Sequence, residues 1–149
     1  MKFPPAKILI PTDFSDLSLE ALEPALAMVG GDASRIHIVS VLVPVVPPSP
    51  GIVWGTVDDQ VRLTRVREAL DELLEEKGLS AVTCHVLIDQ PANTVADLAE
   101  EIGAELVIVT SHGRTGIVRA ALGSVAERVV RLSPCPVLVL KHDGWAGRE

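Results

Sequence analysis

The residues best suited to chemistry run Val107-Ile108-Val109-Thr110-Ser111-His112-Gly113-Arg114-Thr115-Gly116 and resume at Leu122-Gly123-Ser124-Val125-Ala126-Glu127. An apolar, strand-like run empties into a glycine-bearing loop. Nine residues, 114–122, separate Gly113 from Gly123, and Ser124 opens a segment of helical pattern. Backbone amides exposed at glycines and at a helix N-terminus bind anions, phosphate being the usual one. Gly113 and Gly123 allow close backbone approach to phosphates. The Ser124 hydroxyl and the amides of Ser124 and Val125 can donate to phosphate oxygens, and Arg114 can add a charge. A plainer role stands beside this one. Ser124-Val125-Ala126-Glu127 has the form of a capping box, in which Ser124 only caps its helix. His112 reads as a loop histidine rather than a ligand or base, and the glycines can simply shape turns.

Two other segments can join the site. Pro11-Thr12-Asp13-Phe14 follows a first apolar run, and Ser40-Val41-Leu42 closes a second. Asp13 can accept hydrogen bonds from ribose hydroxyls or help hold a metal through water; alternatively it caps or turns into the next helix. Val41 can pair a base with its backbone and pack on its edge. In an open parallel sheet, ligands bind beyond the carboxyl ends of the strands where the strand order reverses. If strands one and four are neighbours, all three segments converge there. The spacing matches neither a P-loop, since no Gly-Lys-Ser or Gly-Lys-Thr occurs, nor the dinucleotide fingerprint, since Pro11-Thr12-Asp13 follows strand one.

The elements that must position these residues alternate. Strands are expected at Ala6–Pro11, Arg35–Leu42, Val82–Ile88, Leu106–Val109 and Pro136–Leu140. Helices are expected at Ser15–Val29, Asp58–Lys77, Pro91–Ile102 and Ser124–Leu132. Pro24 should kink or shorten the first helix. Gly30-Gly31, Gly78 and Gly103 read as helix stops. On the long helix, Val66, Leu70, Leu73 and Leu74 form the apolar face, while Arg62, Arg65 and Arg67 form a solvated one. The loop 43–55 holds Pro44, Pro47, Pro48 and Pro50 and reads equally as a lid or a crossover. Residues 143–149 read as a frayed tail. This alternation predicts an α/β fold: an open, doubly wound parallel sheet of five strands with helices on both faces, in a single domain over 1–149.

Composition agrees. Hydrophobic residues are 48% of the 149 and aromatics 3%, so the core is built from Val, Leu, Ile and Ala. That mixture suits a sheet buried on both faces. The formal charge of −7 and the lack of a basic stripe argue against nucleic acid. No apolar run approaches the roughly 18 residues of a membrane span, and no signal peptide is visible, so a cytoplasmic protein without membrane insertion is expected. Cys84 and Cys135 form no C-x-x-C motif, and each reads as a buried thiol.

Three stretches together resemble the universal stress protein family, of the single-domain bacterial and archaeal type, over nearly the whole chain. Lys7-Ile8-Leu9-Ile10-Pro11-Thr12-Asp13-Phe14-Ser15 is similar to its opening strand and acidic loop. Ser111 to Gly116 with Leu122 to Val129 is similar to its phosphate loop, and Ser133-Pro134-Cys135-Pro136-Val137-Leu138-Val139-Leu140 to its closing strand. The resemblance implies strand order 3-2-1-4-5 and a homodimer formed through the last strand, Pro136–Leu140, whose apolar edge would otherwise lie exposed. Some members bind ATP through a pattern of Gly, two residues, Gly, nine residues, Gly, then Ser or Thr. Here Gly113, Gly123 and Ser124 match, and Thr110 stands at the first glycine. Thr110 either crowds a ribose or hydrogen-bonds the ligand. The residues this implies are Pro11, Thr12 and Asp13 near ribose and base, Val41 at the adenine, and Gly113, Gly123, Ser124 and Val125 at the phosphates.

The function expected is a regulatory homodimer that binds an adenine nucleotide (ATP, or else ADP or AMP, with Mg²⁺) and acts on a protein partner not yet known. Little or no turnover is expected, because no nucleophile and base are paired; slow hydrolysis stays open. The alternative is a dimeric interaction protein of the same fold with an unused pocket, favoured by Thr110. A third reading is a phosphoryl-accepting, receiver-type switch, from Asp13, Asp89, Thr110 and Lys141 near strand ends.

Overall fold

The computed structural model describes residues 2–14, 16–45, 59–111 and 122–141. Its centre is a parallel sheet built from β1 (Ile8–Pro11), β2 (Ile36–Leu42), β3 (Thr83–Ile88), β4 (Leu106–Thr110) and β5 (Val137–Leu140). The order across it is β3-β2-β1-β4-β5. β1 therefore lies between β2 and β4, with Ile8 opposite both Ile36 and Leu106. The order reverses there, where the argument from sequence required it.

Alternation along each strand fills two cores. Ile8, Ile10, Ile36, Ile38, Leu106 and Ile108 face one way and pack against α2 (Leu22–Met28) and α3 (Asp59–Glu76). Leu9, Val39, Val107 and Val109 face the other way, against α4 (Pro91–Ile102) and α5 (Ser124–Leu132). Apolar side chains on both faces bury the central strands except at their carboxyl ends, as a doubly wound parallel sheet requires. On α3 the buried residues are Leu70 and Leu74, with Leu63 and Val66 packed beside them. Leu73, expected on this face, flanks it. Of the arginines expected in solvent, Arg62 is half-buried and donates from Nη2 to the Val43 carbonyl at 2.9 Å.

The expected first helix is two segments, α1 (Asp16–Leu19) and α2. Pro24 is the cause. Its ring excludes the carbonyl of residue 20 from a continuing helix, and the chain restarts so that Pro24 falls in a first turn, where a missing N–H is harmless. α4 begins at Pro91 and ends at Gly103, whose φ of 65° suits a residue without Cβ. β1, β2, β3 and β5 are each shorter at the start than expected. β4 is longer by Thr110, which pairs with Leu140.

Cys84 is buried; its environment and the neighbouring Asp71 push the thiol up to about 11. Cys135 is only half-buried, contrary to expectation. The loop core 46–58, Gly113, Arg114, His112 and the tail lie outside the described residues. No helix among the described residues is long and apolar enough to cross a membrane.

Candidate functional site

The carboxyl ends of β1, β2 and β4 open into a cleft of about 540 Å³. Pro11, Thr12 and Asp13 form one wall, Ser40, Val41 and Leu42 a second, and Thr110 and Ser111 a third. Gly123, Ser124 and Val125 close the far side at the start of α5, and Val39, Val95 and Val109 are among the apolar residues of the lining. Every described residue proposed for the nucleotide site lines this cleft. Asp13 is the one charged side chain among its described lining residues.

The start of α5 departs from the capping-box expectation. Gly123, at φ −58° and ψ 150°, is the cap residue, and Ser124 is already helical. The Gly123 carbonyl accepts the first helical bond from the Glu127 amide at 2.8 Å, and the Gly123 amide donates to the Ser111 carbonyl at 2.6 Å. Glu127 instead pairs with Arg131 at 2.6 Å. One register step separates Ser124 from the cap, so its hydroxyl is not the capping group. The first-turn amides have no acceptor within the helix, and the helix dipole adds positive character there. This end of α5 is a cap without a capping side chain, facing a cleft.

The β1 exit is built more firmly. Its backbone continues the ladder, with the Thr12 amide donating to the Val39 carbonyl at 2.8 Å. The buried Thr12 hydroxyl accepts from the Phe14 amide at 3.1 Å and lies 2.8 Å from the Ser18 hydroxyl on α1. Phe14 sits at φ 64°, a conformation costing a side-chain-bearing residue roughly 1–2 kcal/mol. α1 starts at Asp16, so Asp13 is upstream of the cap position it was considered for. Asp13 is half-buried beside the cleft.

The receiver-type arrangement is not formed. β2 stands between β1 and β3, and Asp89 is exposed, with its carboxylate accepting from the Gln90 amide at 2.7 Å. No group of three or more His, Cys, Asp or Glu side chains among the described residues is placed to hold a metal ion.

Sequence reasoning passed over two pairs. One is Thr12 with Ser18. The other is His37 with His85, whose rings stack with centroids 5.2 Å apart and whose Nδ1 and Nε2 are 2.9 Å apart. Burial lowers both imidazoles below their ordinary 6.5. His37 is lowered further by His85 and Lys7; Arg67 lowers His85 while Glu101 opposes it.

The profile of the Universal stress protein family matches residues 5–141. The chain belongs to the universal stress protein family. A universal stress protein of Methanocaldococcus jannaschii is 38% identical over 141 residues, covering 91% of this chain and 81% of the relative. Among solved structures, universal stress protein UspA from Lactobacillus plantarum superposes with a TM-score of 0.69 at 23% identity, over 91% of this chain and 97% of that one. A universal stress protein in complex with cAMP superposes with a TM-score of 0.65 at 22% identity, over 95% and 99% of the two chains. At these identities the superpositions speak for the fold. This universal stress protein thus carries the family's sheet order and a cleft at its switch point.

Proposed function

We propose that this universal stress protein is an adenine-nucleotide-binding regulatory homodimer of the cytoplasm, acting as one domain over 1–149 with little or no turnover. The observation that carries the reading is the start of α5, where a helix begins at a glycine without a capping side chain and its first residues, Ser124 and Val125, line the cleft. Phosphate groups satisfy the amides of such a first turn directly. In this reading Pro11, Thr12 and Asp13 serve the ribose and base, Val41 the adenine, and Gly113, Gly123, Ser124 and Val125 the phosphates, with Arg114 adding charge. The cAMP complex of a structural neighbour supports an adenine ligand in a fold of this kind.

ATP, or its products ADP or AMP, fits this reading. Mg²⁺ would come with the nucleotide. The cleft has one carboxylate among its described lining, Asp13, and Mg²⁺ characteristically takes one or two carboxylates with phosphates and water. The dimer would form through β5, a sheet edge whose four residues are only half-buried, flanked on α5 by Val130 and Leu132, at 44% and 46% exposure. A protein partner would read the liganded state.

Thr110 favours a second reading, a dimeric interaction protein with an unused pocket, because its side chain stands at the cleft where the ATP-binding pattern has glycine. Mass spectrometry of ligand released from freshly purified protein, with calorimetric titration of ATP and Mg²⁺, separates the two. A bound adenine nucleotide or micromolar affinity is expected. An empty pocket that refuses ATP would move the assignment to the interaction protein.

A further inference from the structure

The β1 exit loop is bonded on both sides of Asp13. Thr12, before it, is fixed by the bond from its amide to Val39 of β2. Phe14, after it, is held in a left-handed conformation, with its amide taken by the Thr12 hydroxyl. That hydroxyl is joined in turn to Ser18 of α1 at 2.8 Å. Thr12 is 7% exposed and Ser18 4%, so neither hydroxyl can readily exchange its partner for water. A hydroxyl offers one proton and two lone pairs, enough to serve Phe14 and Ser18 together. Asp13 is thus the middle residue of a segment fixed on both sides, and it lines the cleft.

We propose that Thr12 and Ser18 are positioning residues that hold the Asp13 carboxylate in register for the hydroxyls of a ligand ribose, and so set selectivity for ribonucleotides. This rests on the nucleotide reading given above. Without the Ser18 hydroxyl, the Thr12 side chain can turn away from the Phe14 amide. Phe14 then relaxes to negative φ, and Asp13 is displaced from hydroxyl distance. Preorganised groups give selectivity because the ligand does not have to order them.

The test compares ATP with 2′,3′-dideoxy-ATP by calorimetry on the full chain and on Ser18→Ala, Asp13→Ala, their double variant, Thr12→Val and Thr12→Ser. A hydroxyl hydrogen bond to the Asp13 carboxylate corresponds to a preference for ATP of roughly tenfold or more in the unaltered chain. Ser18→Ala and Asp13→Ala are each expected to bring that ratio to about one while dideoxy-ATP binds as before. The double variant should be no worse than either single one, the mark of residues acting through one another. Thr12→Ser keeps the hydroxyl and should keep the preference; Thr12→Val should lose it. Should Thr12→Val fail to fold, Ser18→Ala still decides the matter. A preference unchanged in Ser18→Ala, or equal weakening of both ligands, overturns the positioning role while leaving nucleotide binding intact. No ATP binding by the unaltered chain overturns both.

Discussion

The two ends of the sheet are built from different materials. At the amino ends of the strands, charged side chains tie the chain to itself. Glu105 accepts from the Ala6 amide at 2.7 Å, Lys7 donates to the Ile102 carbonyl at 2.7 Å, and Arg35 donates to the Pro5 and Ala6 carbonyls at 2.6 and 3.1 Å. At the carboxyl ends the buried polar residues are small: Thr12, Ser18, Ser40 and Ser111 surround an open cleft. There a non-glycine residue is held at positive φ, and a helix begins without a side-chain cap. One end satisfies its backbone within the chain, and the other keeps donors available. The same strands supply both, so the difference lies in the loops, where a rigid scaffold usually presents function.

The comparison can be broken at its centre. Leu9 is fully buried on β1, between the two ends. Leu9→Ala should cost about 2–5 kcal/mol of stability. Denaturant unfolding reads this loss, and ATP affinity should be retained by the protein still folded. At the carboxyl end, Gly123→Val should weaken ATP by roughly tenfold or more, because its bulk stands where phosphates approach. A φ of −58° and ψ of 150° suits a residue with a side chain, so the chain should still fold, at a cost of about 1 kcal/mol for valine at a helix cap. Unchanged affinity in calorimetry would remove the loop from the site. At the amino end, Glu105→Ala should cost stability alone. Loss of one partly exposed bond of about 1 kcal/mol lowers the melting point by roughly 2–4 °C and leaves affinity unchanged.

The smallest effect concerns pH. Because the folded chain holds His37 and His85 below 6.5, the unfolded chain takes up protons that the folded chain refuses. Their contribution is complete above about 6.5 and is lost as the pH falls below it toward the lowered values. His85→Gln should flatten the decline in melting temperature on acidification. A decline as steep as in the unaltered chain would assign it to other groups.

Much of this was legible in the sequence. Periodicity and punctuation located α4 and α5 to the residue, because proline and glycine bound the one and a change of pattern starts the other. The sheet order followed from the family resemblance, and the segments it brings together do share one cleft. What escaped detection depends on register. Ser124 has the sequence of a capping box and lies one residue past the cap, a distinction made only by backbone angles. His37 and His85 meet diagonally because His37 pairs with Thr83, and no local pattern signals a pairing between strands so distant in sequence. Thr12 and Ser18 meet because the turn at Phe14 brings α1 back beside the end of β1, and periodicity does not set the path of so short a turn.

The most direct test is a titration of isotopically labelled protein with ATP and Mg²⁺, followed by amide chemical shifts. The account predicts shifts at Asp13, Val41, Thr110, Ser124 and Val125, with Ala6, Ile102 and Glu105 unmoved. Shifts centred on the amino end, or none at saturating ATP, would contradict it.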